Sequence, residues 1–358
     1  MRSFLLFILI SASKAIFACG YYPHGEDTRI SLFNPHAFGF HLYSEFYYST
    51  NSFEPNPDRF PLNYVDPNTK LWLDYCRGKV DVHSVYDAVY KLTEAEIVEA
   101  SQNAMIQYLY QKKDNDALNY LRFAKNCEYF NSWQDDPWER ETFSAGPKRT
   151  ELMTRAIQLS EKVKNQELKK RYAFLAIRLA WYNHNYDQVK SLFAVSFENI
   201  KDKDILYYWS LYFKSFTEED HALANFELAQ VFAHAPDKRF ACHQQYTKAI
   251  SIDQTLQFAK TDEERANVYL LAAIEKYDKA LPYIQKVYEL NPTAEGLSFL
   301  LLREINKVED FVLTPSYTLF QPSLSYDSWS AGKDSSALQT LHRAEHDRIY
   351  AKEVLRFI

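Results

Sequence analysis

The chain of 358 residues is long enough for one large domain or two ordinary ones, and its formal net charge of −6 gives no attraction to nucleic acid or anionic lipid. Glycine is scarce, at 7 residues, or about 2% where about 7% is usual. That excludes most phosphate-binding loops, nucleophile elbows and tight hairpins, which need left-handed or closely approached backbone.

Tyrosine (27), phenylalanine (25) and tryptophan (6) stand at the other extreme. Few glycines with many large rings suit packed helices, so an all-α fold is expected. No RNA-recognition, zinc-finger or C-x-x-C pattern occurs, which removes nucleic-acid modules, redox dithiols and zinc ribbons.

The chain opens on "MRSFLLFILISASKAIFAC", where basic Arg2 precedes an apolar run from Phe4 to Ile10 and then small residues. That order predicts a secretory signal over residues 1–18. Lys14 breaks the run well short of the ~20 residues a spanning helix needs. Two cuts stay open. Ser13-Lys14-Ala15 suits ordinary signal peptidase, whereas Ala18 before Cys19 resembles a bacterial lipobox and would make Cys19 a lipidation site. Lipidated Cys19 leaves Cys76, Cys127 and Cys242, an odd number, while unlipidated Cys19 allows up to two disulfides. Export implies the periplasm or outer membrane, with membrane contact only through that lipid. His24, Glu26 and Asp27 lack EF-hand spacing and read as a polar linker, with Arg29 placed to pair with Glu26 or Asp27.

Residues 19–92 carry prolines at 23, 35, 55, 57, 61 and 67 and a run of aromatics from Phe38 to Tyr48. Proline at that density forbids long helices, so an aromatic- and Pro-rich arm with short helices is expected. "LWLDYC" and "SVYDAVYKL" are its first helical turns. Residues 93–310 then read as helix after helix, beginning with "EAEIVEASQNAMIQYLYQ". Tyr172, Leu175, Ala176, Leu179 and Tyr182 share one face at helical spacing. Short polar turns join the helices in pairs, and Val189, Phe193 and Phe197 recur 35 positions on as Ala224, Leu228 and Phe232. A period near ~34 residues with two helices per unit points to tetratricopeptide-type repeats.

"ALPYIQKVYELNP" and "HALANFELAQVFAHAPD" resemble the second helix of a tetratricopeptide repeat, with Ala280 and Ala222 as the small crossing residues. The first helices lack that family's Trp and Leu-Gly positions. Through "CGYYPHGEDTR", "ALNYLRFAK" and "LLLREINKVEDF" the chain resembles exported bacterial tetratricopeptide-like (TPR-like) proteins. The resemblance implies export and a TPR-like α-solenoid scaffold, and no particular chemistry. Members of that group tend to be longer. Residues 311–336 read as a loop and 337–358 as an amphipathic helix ending on Phe357-Ile358, so a chain continuing into a longer protein is expected.

Candidate chemistry is thin. "HRAEH" fits H-x-x-E-H, with His342 and His346 one helical turn apart as zinc ligands and Glu345 as base. A third ligand is wanting, so the expected reading is a charged outer face of Arg343, Glu345, Asp347 and Arg348. Cys242 and His243 are adjacent, and adjacent helical residues point about 100° apart. Asp135-Asp136 and Glu218-Glu219-Asp220 read as solvated turns, and His184 and His234 as facing water. No G-x-S-x-G occurs, and no cofactor is called for. The expected function is therefore a non-enzymatic scaffold binding a protein or peptide, with the small-molecule ligand left open. The first helix of each pair lines its groove, offering Tyr172, Trp181, Tyr182, Tyr208, Trp209 and Tyr212. A SusD-like glycan-binding surface lipoprotein is the alternative, since the same rings stack on sugars.

Overall fold

Side-chain caps, rather than glycines, punctuate this chain. The computed structural model describes residues 25–49, 53–130, 146–318, 320, 322–323 and 337–358, and every regular element among them is helical. Helices of eight residues or more are α1 (Pro67–Tyr75), α2 (Ala104–Gln111), α3 (Asn115–Glu128), α4 (Pro147–Lys162), α5 (Gln166–Tyr182) and α6 (Tyr186–Ser196). After them come α7 (Ile205–Ser215), α8 (His221–His234), α9 (Asp262–Glu275), α10 (Leu281–Leu290), α11 (Leu297–Val308) and α12 (Ala337–Phe357). Among the described residues no helix is long and apolar enough to cross a membrane.

The chain divides by contacts into two units. One holds His41–Glu45 and Pro55–Leu300, and the other holds Met1–Phe40, Phe46–Glu54 and Leu301–Ile358. Residues 55–92 fall in the same unit as the helices that follow them.

In the larger unit, α2 packs on α3, α4 on α5, α5 on α6 and α7, α7 on α8, α8 on α9, and α9 on α10. The turns α2–α3 and α5–α6 share one construction. Lys113 and His184 sit at φ 54° and 55°, and the following amides of Asp114 and Asn185 each reach back to Leu109 and Ala180 carbonyls at 2.9 Å. Those two residues then cap the next helix, accepting the amides of Ala117 (3.0 Å) and Gln188 (3.3 Å). This is a Schellman ending in which lysine and histidine take the place glycine usually holds. Val189, Phe193, Phe197, Ala224, Leu228 and Phe232 are all buried, as the 35-residue recurrence predicts. The long helix expected from Glu94 is interrupted. Thr93 and Glu96 close a capping box around one short turn, and Asn103 starts α2 afresh by accepting the amides of Met105 and Ile106.

The smaller unit is organised around the polar face of α11. It runs on into a π-helical turn, Glu309–Leu313, and a short helix, Thr314–Tyr317, where a loop was expected. Burial of Arg303, Glu304, Asn306, Lys307, Glu309 and Asp310 within a single stretch is unusual for charged residues. Specific donors meet both oxygens of Glu304 and of Asp310, while Glu309 Oε1 is buried with no hydrogen-bond partner among the described residues. Glu304 accepts from Lys307 Nζ (2.8 Å) and from the Tyr350 hydroxyl, and Asp310 from Tyr48 Oη (2.6 Å), Thr314 Oγ1 (2.8 Å) and the Ser323 amide (2.8 Å). The same face holds an extended segment by its backbone. The Ile30 amide donates to Thr314 Oγ1 (2.9 Å), the Leu32 amide to Glu309 Oε2 (3.1 Å), and Asn306 Nδ2 to the Phe33 carbonyl (2.7 Å). Arg29 pairs with Glu26 at 2.8 Å, one of the two partners expected. His24 and Cys19 lie outside the described residues.

Two substitutions test these devices. Lys113→Gly relieves a left-handed lysine on an exposed turn and is expected to raise stability by about 0.5–1 kcal/mol, read as a higher urea midpoint at unchanged slope. Asn306→Ala leaves the Phe33 carbonyl without that donor and is expected to cost about 1–3 kcal/mol, read in the same titration.

Candidate functional site

Within the larger unit, the proline-rich stretch and α1 cover the helices that were expected to present an open groove. Arg171 of α5 is the anchor. It is buried, its guanidinium lies 4.1 Å from the Trp72 ring centroid, and its Nη1 donates to Asn68 Oδ1 at 2.8 Å. Asp66 begins α1, accepting the amides of Asn68 and Thr69 at 3.0 Å, and Pro67 supplies the first helical position. The Tyr90 hydroxyl also donates to Asp66 at 2.6 Å. From the other side, Trp209 Nε1 donates to Asp237 Oδ1 at 3.0 Å, and Arg59 reaches the Asp237 carbonyl at 3.2 Å while pairing with buried Glu45 at 2.6 Å.

What remains open is a cleft of two adjoining cavities that share Tyr90 and Trp209. The larger, about 400 Å³, runs over Asn68, Trp72, Tyr120, Phe174 and Arg178. The smaller, about 330 Å³, is walled by Phe60, Tyr64, Tyr86, Tyr90 and Trp209, with Asp66 and Asp237 as the acids. Its rings are set in pairs, Phe60 stacked on Tyr64 (4.7 Å, 22°) and Tyr86 against Tyr90 (4.9 Å). Burial pushes the Tyr64 hydroxyl up to about 12, and burial with the bond to Asp66 raises Tyr90 as well. Both phenols are therefore neutral donors at physiological pH.

Of the six residues expected in the groove, Trp209 lines this cleft. Tyr172 and Tyr208 are buried, Tyr172 edge-on to Tyr120 (4.9 Å) and Tyr208 stacked on His234 (4.3 Å, 19°). Both rings lie against neighbouring helices. Trp181, Tyr182 and Tyr212 are half-buried around Phe213 and Phe216, with Trp181 5.4 Å from Phe213 and Tyr212 4.7 Å from Phe216. Sequence reasoning missed Phe60, Tyr64, Tyr86, Tyr90, Asp66 and Asp237. The i, i+4 spacing of Tyr86 and Tyr90 was the available signal for two of them.

Several polar residues have structural work in place of the solvated role expected. His234 packs on Tyr208, and burial holds its pKa below the ordinary value. Glu218 is half-buried against Lys214 (2.6 Å), and Asp220 caps α8 through the Ala222 amide (2.8 Å). Asp347 is buried and accepts from Arg343 (3.3 Å), so the outer face of α12 is narrower than expected. His342, Glu345 and His346 are exposed, the two rings 5.0 Å apart and Glu345 facing Arg348 at 3.9 Å. Among the described residues no group of three or more His, Cys, Asp or Glu could hold a metal ion. Asp135 and Asp136 lie outside the described residues.

Cys76, Cys127 and Cys242 are buried thiols, and burial pushes Cys76 up to about 11 and Cys127 to about 12. The Nδ1 of His243 meets Glu275 Oε1 at 2.5 Å. Glu275 also lines a separate cavity of about 540 Å³ with Tyr246, Lys248, Tyr269 and Tyr283, where Lys248 faces it at 3.3 Å.

Between α7 and α8, Lys214 bridges Glu218 and the more deeply buried Glu227. Burial raises the Glu227 carboxyl from 4.5 to about 7, with Lys214 partly offsetting the rise. Between those two values the folded chain keeps a proton that the unfolded chain releases, so stability falls as pH rises through that window. Glu227→Gln is expected to flatten the window, measured as urea midpoints from pH 4.5 to 7. Compared with protein-family models, curated proteins and solved structures, the chain matches none of them.

Proposed function

We propose that the protein is an exported, non-catalytic binding scaffold of the cell envelope, in which a TPR-like α-solenoid presents the aromatic cleft to a protein partner. The solenoid reading draws on the order of packing, α5 on α6 and α7, α7 on α8, α8 on α9, α9 on α10, and on the 35-residue recurrence of buried positions. Export, and either lipidation at Cys19 or cleavage beside it, draws on the leader anatomy.

The observation that carries the binding reading is the cleft itself. Tyr86 and Tyr90 keep 45% and 44% of their surface exposed beside Trp209, so large rings are presented to solvent on a rigid support. Because α1 and the proline-rich stretch cover the neighbouring helices, the site suits one anchoring side chain rather than a long extended peptide. The SusD-like glycan reading draws on the same stacked rings and is separated from it by a polysaccharide binding panel.

A photo-crosslinking phenylalanine analogue at Tyr86 is expected to trap a specific envelope protein, and Trp209→Leu in the same chain is expected to abolish the adduct. The same analogue at Val195, 88% exposed on α6, is the control. Equal adducts from both positions, or adducts indifferent to Trp209→Leu, would defeat the reading.

A further inference from the structure

The smaller cavity of the cleft has a composition that selects a narrower chemistry than an apolar anchor. Five rings wall it, from Phe60, Tyr64, Tyr86, Tyr90 and Trp209, and among the described residues the charged groups lining it are two acids, Asp66 and Asp237. Aromatic faces carry negative potential and attract cations. The chain already uses them so nearby, with the Arg59 guanidinium 4.7 Å from the Phe60 centroid and Lys238 Nζ 5.8 Å from that of Trp209. The acids are engaged by the protein itself. Asp66 accepts the Asn68 and Thr69 amides and the Tyr90 hydroxyl, and Asp237 accepts Trp209 Nε1 at 3.0 Å and pairs with Lys238 at 3.0 Å.

Lys238 meets the charge of Asp237, so the field comes chiefly from Asp66, which is in no ion pair among the described residues and offers little vacant acceptor. A primary ammonium entering here would give up water without equivalent hydrogen-bond partners, and a hydrated metal ion would lose still more. A cation with no N–H donors and a greasy, weakly hydrated surface loses little and gains the ring faces. We propose that the cavity binds a quaternary ammonium group, whether of a free small molecule or of a choline-type lipid headgroup. At about 330 Å³ it has room for a trimethylammonium and the carbons that follow. The proposal rests on the cleft being a binding site but not on its taking a protein partner.

Calorimetric titration of the full chain with tetramethylammonium and with choline tests it, against 3,3-dimethylbutan-1-ol, the neutral isostere of choline. Both cations are expected to bind, the alcohol about tenfold or more weakly than choline. Trp209→Leu and Tyr64→Leu are each expected to weaken choline about tenfold, with unchanged helical circular dichroism confirming the fold; two variants guard against one failing to fold. Flotation with phosphatidylcholine vesicles, with and without competing choline, separates the lipid source from the free one. Equal binding of the neutral alcohol overturns the proposal in favour of a merely apolar pocket. Binding of methyl glycosides in place of choline overturns it in favour of a saccharide site, and no heat with either cation up to ~10 mM overturns it outright. Loss of choline binding with the Tyr86 adduct retained would remove this inference and leave the scaffold reading standing.

Discussion

The guanidinium of Arg171 over the Trp72 ring is the contact on which the aromatic cleft depends. A buried arginine with no ion pair among the described residues is costly unless its plane is covered and its edge is bonded. Here Trp72 covers the plane and Asn68 takes one edge. Both partners come from α1, so the arginine of α5 recruits a segment about a hundred residues earlier in the chain, a separation of 103 positions. Everything downstream of that pairing follows. Once α1 is seated, Asp66 is placed to cap it, Tyr90 is placed to reach Asp66, and the rings before and after α1 stand facing Trp209.

Much of the helical character was legible in the residues, and the reasons are local. Glycine scarcity, 3.6-residue periodicity and polar turns are written in short windows, and the 35-residue recurrence marked positions that are indeed buried. The cleft was not legible because its walls are not local. Phe60, Tyr64 and Asp237 acquire meaning only when α1 lies on α5 and α7, and nothing in "DRFPLNYVDP" announces that. Tyr172 and Tyr208 show the converse difficulty. Aromatic residues on the first helix of a pair look the same in sequence whether they face a partner or a neighbouring helix, and here Tyr120 and His234 lie against them.

The face built on "REINKVED" misleads for a different reason. Six charged or amide residues in eight positions are the signature of a solvated helix surface. Their burial is sustained by reciprocal satisfaction, with Lys307 and Tyr350 on Glu304, and Tyr48, Thr314 and Ser323 on Asp310. These bonds tie Glu304 and Asp310 to one arrangement, while Glu309 Oε1 stays buried without a partner among the described residues. The π-helical turn at Glu309–Leu313 accompanies it, and local widening of a helix there lets Glu309, Asp310 and Phe311 all be buried.

The grip of that face on Ile30, Leu32 and Phe33 also sets an order of events during synthesis. The bonded groups are 273 to 284 positions apart, and residues 55–300 of the other unit are interposed between them. A chain emerging from its first residue therefore presents the 30–33 backbone long before Asn306 or Thr314 exists. At roughly 5–20 residues per second the wait is on the order of 10–50 s. The helical array, whose contacts are mostly between neighbours, can close within that time, and the small unit can close only after it. During the interval the Ile30 and Leu32 amides must be solvated or held by something else, so the early segment is the last part of the small unit to be protected.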